Sequence, residues 1–168
     1  HRKARYLEQQ LSVLPDQPSD LTKLEQLNPE WGLFTLSYTA YAFTNMAQLD
    51  STFRPEAAEY VQLAIEKART GRIPGSFQDI DAAPFTDSIT SVLYLGHLNL
   101  MLGCHRLLNR AAPYRTLHDS LSASLHRRLA AAPNHCLESY DGGTWVPDNT
   151  VALASLHLHS ELTGSPYR

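Results

Sequence analysis

The hydrophobic pattern of this chain centres on residues 87–109, DSITSVLYLGHLNLMLGCHRLLN. The run holds no proline, and no charge between Asp87 and Arg106. Its apolar positions lie all round a helix instead of along one stripe, which predicts a buried helix. Tyr94, His97, Asn99 and His105 interrupt it. Tyr94 and His97 are three residues apart, so they share a face. Polar groups on a buried helix must be satisfied or put to use.

Two kinds of helix alternate around this run. Residues 1–14 carry an apolar stripe of Tyr6, Leu7, Leu11 and Leu14, closed by Pro15 and Pro18. Asp20 or Thr22 is the expected cap of a short turn through Leu27. Asn28-Pro29 predicts the start of a helix over 29–49, with asparagine as cap and proline in the first turn. Trp31, Phe34 or Thr35, Tyr38, Tyr41 or Ala42, and Asn45 follow one face of it. Residues 55–70 read as an amphipathic helix stopped by Gly71, and 71–86 as a long loop carrying Asp79 and Asp81. A second amphipathic helix covers 114–131 and breaks at Pro133-Asn134. The stretch 137–148, LESYDGGTWVPD, lacks helical periodicity. Its Asp-Gly-Gly predicts a small hairpin within 139–146. Asp148 or Asn149 is the expected cap of a last, largely apolar helix that reaches Leu162 and stops at Gly164.

An apolar helix followed by an amphipathic one occurs twice and begins a third time. An aromatic–arginine pair follows each apolar helix: Phe53-Arg54, Tyr114-Arg115, Tyr167-Arg168. Such a repeat points to helical hairpins that cannot bury their faces alone. The expected fold is all-α, an α/α toroid, with about half of a six-hairpin ring in this chain. On this reading 1–168 is a single toroid domain, incomplete at its C-terminus. Helices 29–49, 87–109 and 149–162 would be inner and more buried; 55–70 and 114–131 would be outer. An irregular helical bundle is the rival fold.

Composition narrows the function classes. The 168 residues are 43% hydrophobic and 18% charged, with a formal net charge of −3. That balance offers no basic patch and excludes a nucleic-acid partner. No apolar run is long enough to span a bilayer. No signal peptide is visible, and the chain opens on His1, which leaves room for a removed leader or an anchor; the sequence leaves the compartment open, a periplasmic or membrane-anchored soluble part included. Cys104 and Cys136 form no CxxC pair and read as buried free thiols.

In a ring of hairpins, the loops before the inner helices share one mouth. They would bring Glu30, Asp79, Asp81, Asp87, Glu138, Asp141 and Asp148 together with Trp31, Phe77, Phe85, Tyr140 and Trp145. Carboxylates among aromatic faces suit acid–base work on an uncharged organic substrate. The competing role of Asp87 and Asp148 is helix capping. His97 is either a satisfied core residue or a group facing the cavity. No metal site is expected: His157 and His159 are two apart on a helix and face differently. No nucleotide-binding or nucleophile-elbow pattern occurs.

The stretch Tyr94-Leu95-Gly96-His97-Leu98, continued by Met101-Leu102-Gly103, resembles the linalool dehydratase/isomerase family. So does LESYDGGTWVPDNTVALASL, which looks like that family's later loop leading into an inner helix. The resemblance implies an (α/α)6 toroid and cofactor-free acid–base chemistry on a tertiary allylic alcohol. His97 matches the family's active-site histidine and Tyr94 the tyrosine beside it. The family's two cysteines correspond to Ser139 and Asp148 here, so an aspartate stands where a thiol would. Cys104 and Cys136 do not match them.

The first expectation is therefore a hydro-lyase or isomerase without metal or other cofactor. Asp148 or Tyr94 would donate a proton and His97 would shuttle it. Trp31, Tyr38, Tyr140, Trp145 and Asn149 are the candidate substrate contacts. The second expectation is a carbohydrate-active toroid using two mouth carboxylates. The third is a non-catalytic helical-repeat module that binds a peptide or glycan. The expected partners are a small-molecule or carbohydrate substrate, and either the missing half of the ring or a second copy of the chain.

Overall fold

Asn28 starts the longest helix where the sequence places it. Its side chain accepts a hydrogen bond from Glu30 N at 2.9 Å, and Pro29 occupies the first turn. In the computed structural model the described residues are 2–14, 17–70, 72–75, 77, 90–109, 111 and 113–167. They form α1 (Arg2–Ser12), α2 (Asp20–Leu27), α3 (Pro29–Leu49), α4 (Arg54–Ala68), α5 (Arg72–Gly75), α6 (Val92–Leu108), α7 (Arg115–Ala131) and α8 (Val146–Thr163). A short 3₁₀ turn, Ser51–Phe53, joins α3 to α4. The fold is all-α. Among the described residues the expected hairpin reduces to one isolated bridge between Tyr140 and Gly143. Too few residues flank the Asp-Gly-Gly turn for a ladder to grow. No described helix is long and apolar enough to cross a membrane.

Several helix ends differ from expectation. Ser19, not Asp20 or Thr22, caps α2, in a reciprocal capping box with Thr22. Ser91 caps α6 through Tyr94 N, so the helix begins at Val92 and the expected start at Asp87 lies outside the described residues. α8 begins at Val146, with Pro147 in its first turn. Asp148 and Asn149 are thus inside the helix, not its caps. Gly164 stops α8 as expected, at φ 76°, a conformation that favours glycine.

The chain divides into two compact units, His1–Ser76 and Phe77–Arg168. In the first, α3 and α4 form a hairpin, with α1 against α4 and α2 against α3. α3 buries Leu33, Leu36, Ala40, Phe43 and Ala47. Phe43 meets Phe53 edge-on at 5.7 Å and Tyr60 at 5.6 Å, which closes the hairpin. The aromatic face predicted for α3 is its exposed face: Trp31 and Tyr38 are exposed, Phe34 and Tyr41 half-buried.

In the second unit α6 is the centre, packed against both α7 and α8. Fifteen of its seventeen residues are buried, as its all-round apolar pattern predicts. α7 buries one stripe, His118, Leu121, Ser122, Ser124, Leu125 and Leu129. α8 is also striped, burying Asn149, Ala152, Ser155, Leu156, His159 and Ser160. The expectation that 149–162, as an inner helix, would be more buried than 114–131 is therefore not met among the described residues: α8 buries no larger a share of its residues than α7 does. Leu153 is exposed, and so is His157.

α6 and α8 run parallel and close. Gly96 faces Ala152, Asn99 bonds Ser155, and Gly103 faces Leu158. Asn99 ties all three helices together: its Nδ2 donates to Ser122 Oγ at 3.0 Å and to Ser155 Oγ at 2.9 Å. This answers how a polar residue survives at the middle of the apolar run. Both amide hydrogens have acceptors, so burial leaves neither orphaned.

Candidate functional site

α6 carries His97 and Tyr94 one turn apart. His97 is 2% exposed. Burial pushes its pKa down to about 4, so the imidazole is neutral near pH 7 and able to accept a proton. Tyr94 is fully buried and its ring stacks on Phe77, with centroids 5.6 Å apart and planes 26° apart. The two matched segments of sequence are neighbours in space. Val92 N donates to Glu138 O at 2.9 Å, and Gly96 lies directly on the Ala152 backbone.

The segment before α8 presents Tyr140 and Trp145 to solvent, Trp145 at 58% exposure. Asp148, one of the expected proton donors, is half-buried in the first turn of α8. Ser139 Oγ is buried with no hydrogen-bond partner among the described residues. Asn149, expected as a substrate contact, has a different job. Its Oδ1 accepts from Leu137 N at 2.8 Å, and its Nδ2 donates to Leu137 O at 3.0 Å and Trp145 O at 2.9 Å. The carboxamide thus stands in for a strand partner and pins the loop to the helix. Asn149→Asp is isosteric but turns two donors into acceptors facing carbonyl oxygens. It is expected to cost at least about 1–3 kcal/mol, read as a lowered melting temperature.

Trp31 and Tyr38 lie in the first unit. With Leu7, Leu24 and Phe34 they line an apolar groove of ≈ 440 Å³. Tyr38 stacks on Phe34 at 5.7 Å and meets Tyr41 edge-on at 6.1 Å. Asp79, Asp81, Phe85 and Asp87, expected at the same mouth, lie outside the described residues. Cys104 is buried and Cys136 half-buried, and neither forms a disulfide among the described residues.

A second cluster escaped the reading of the sequence. His118 and Asp119 on α7 meet His159 on α8. His159 Nε2 is 2.9 Å from Asp119 Oδ1, and the Arg106 guanidinium of α6 contacts the same oxygen. The His118 and His159 rings lie edge-on at 4.7 Å. Tyr167 continues the row, stacking on His159 at 5.3 Å and lying 4.7 Å from His126. Burial drives the His118 pKa down to about 3, helped by the neighbouring His159 and Arg106 charges and opposed by Asp119. For Asp119, desolvation acts to raise the pKa; the bonds from Arg106 and His159 outweigh it and hold the carboxyl below its ordinary range. The helical spacing rule correctly separates His157 from His159, since one is exposed and the other buried. It is blind to a partner from another helix. The legible signal was His118 on the buried stripe of an amphipathic helix, with Asp119 at its exposed edge.

No protein-family model matches the chain.

Proposed function

We propose that this protein is a cofactor-free hydro-lyase or isomerase acting on a small organic alcohol, similar to the linalool dehydratase/isomerase family. The hairpins would belong to an (α/α)6 toroid. The observation that carries the reading is the packing of Tyr94–Leu98 against the opening turns of α8. The two stretches that resemble the family independently on sequence form one local structure. A helix alternation of parallel α6 and α8 with α7 returning between them supports the ring. The exposed aromatic face of α3 supports it too, since an inner helix of a toroid turns one face to a cavity.

The chemistry follows from a neutral imidazole. Asp148 or Tyr94 protonates the substrate hydroxyl, the C–O bond breaks, and water leaves an allylic cation. His97 removes a proton from the adjacent carbon, which forms the new double bond, and returns that proton to the donor. For isomerisation, water adds instead at the other end of the allyl system and His97 takes its proton. The burial of His97 and Tyr94 favours this route, because water competes poorly for the cation in dry surroundings.

The test is turnover of a panel of tertiary allylic alcohols, followed by product chromatography. His97→Gln keeps bulk and polarity but cannot carry a proton. It is expected to lower kcat by about 10²–10⁴-fold while the circular dichroism spectrum stays helical. Turnover that is indifferent to His97→Gln would remove the histidine from the mechanism, and no turnover with any alcohol would remove the reaction. The exposed Tyr140 and Trp145 rings favour, as a second reading, a carbohydrate stacked on that loop; hydrolysis of a glycoside panel would select it.

A further inference from the structure

We propose that His118, Asp119 and His159 form a binding site for one divalent transition-metal ion of the zinc type, which clamps α7 to α8. One donor atom from each of the three residues lies within 4.8 Å of the others. Two imidazoles and a carboxylate are a donor set that suits zinc and its first-row neighbours.

The second observation is His118 itself. It is 0% exposed, and neither ring nitrogen has a hydrogen-bond partner among the described residues. A buried imidazole with both nitrogens orphaned is costly. A metal bond to one nitrogen relieves that cost and explains why a histidine stands where leucine would fill the space. Gly103 of α6 keeps the space open: a Cβ there would lie 3.4 Å from His118 Nε2 and 2.8 Å from Leu158.

The surroundings fit a coordinated set. Thr163 Oγ1 lies 3.3 Å from His159 Nδ1 and orients the ring from its far side. The more buried Arg106 holds the Asp119 carboxylate, as a second layer of hydrogen bonding commonly does for a ligating acid. Without metal, the contact of 2.9 Å between His159 Nε2 and Asp119 Oδ1 is bridged by a proton. Metal would take that proton's place. Ligand atoms around a tetrahedral zinc stand roughly 3.3 Å apart, given bonds of about 2.0–2.1 Å, so Asp119 must swing outward slightly. At 51% side-chain exposure it is free to do so. The half-exposed Asp119 gives an ion access from solvent; Arg106, which contacts it, also lines a pocket of ≈ 280 Å³ with Arg115 and Glu161. Three protein ligands leave a position for water.

This site shares no residue with the proposed acid–base site, so the two stand or fall separately. The experiment is calorimetric titration of the metal-stripped full chain with zinc chloride. Cobalt(II) visible absorption reports ligand geometry, and thermal melting reports the clamp. The expected result is saturable uptake of one ion, intense tetrahedral cobalt bands and a raised melting temperature. Asp119→Asn sits at an exposed position and is expected to fold; it should weaken binding by at least about tenfold. His159→Gln should abolish the cobalt bands. Absence of saturable binding overturns the proposal. So does binding that either variant leaves unchanged, because the ion would then sit on other histidines such as His126, His135 or His157.

Discussion

Acidification from pH 7 to pH 4 is expected to destabilise the fold strongly, with His97 as a principal cause. Burial holds its folded pKa at about 4 against an ordinary 6.5. The unfolded chain therefore binds the proton first as pH falls. Stability from this residue is full above the unfolded value, is lost progressively between about 6.5 and about 4, and changes no further below that. Each pKa unit corresponds to about 1.4 kcal/mol, so the loss is on the order of 3 kcal/mol. That is a large share of the about 5–15 kcal/mol typical of a domain. The measurement is the melting temperature across this range for wild type and His97→Gln. The variant, lacking the titrating group, should show a shallower decline. Parallel pH profiles for the two proteins would mean that His97 does not stay neutral in the folded state.

Gly96→Val is expected to be the most damaging small substitution in the second unit. A Cβ at this position would lie 3.1 Å from Ala152 N, 3.2 Å from its Cα and 3.3 Å from its Cβ. Two of these atoms belong to backbone, which cannot rotate aside as a side-chain tip can. Valine adds two methyl groups to that contact and must push α6 from α8. Overpacking of this kind costs about 1–3 kcal/mol and occasionally more. Separation also stretches the Asn99–Ser155 hydrogen bond a turn away, leaving buried polar atoms short of partners at about 1–3 kcal/mol. Helix propensity runs the other way, because glycine inside a helix is worse than alanine by roughly 0.5–1 kcal/mol. A net loss in urea denaturation therefore isolates the helix contact. Gly96→Ala should be milder, and adding Ala152→Gly should recover part of its loss, a coupling readable by a double-mutant cycle. A Gly96→Val protein as stable as wild type would show that α6 and α8 do not meet there.

Local chemistry was legible along the chain. Asn28-Pro29 located the start of α3, Gly164 the end of α8, and the all-round apolar pattern the burial of α6. These features depend on neighbours within a turn or two: a cap, a fixed φ, a periodicity. Where several caps compete within one Ser/Thr-rich stretch, local signals could not choose, and Ser91, which they did not single out, caps α6. The aromatic stripe of α3 was legible as a face, but not that the face is exposed. Asn149 read as a helix cap and a substrate contact, whereas its three bonds reach back to a loop twelve and four residues earlier. The His118–Asp119–His159 cluster lay furthest from view. Its residues are forty apart in sequence and meet only because Gly96 and Gly103 let α8 lie close along α6 while α7 packs beside both. Periodicity states which residues share a face of one helix. The register between helices is set by close packing of side chains of matching volume, and that decides which faces confront each other and so which polar groups become neighbours.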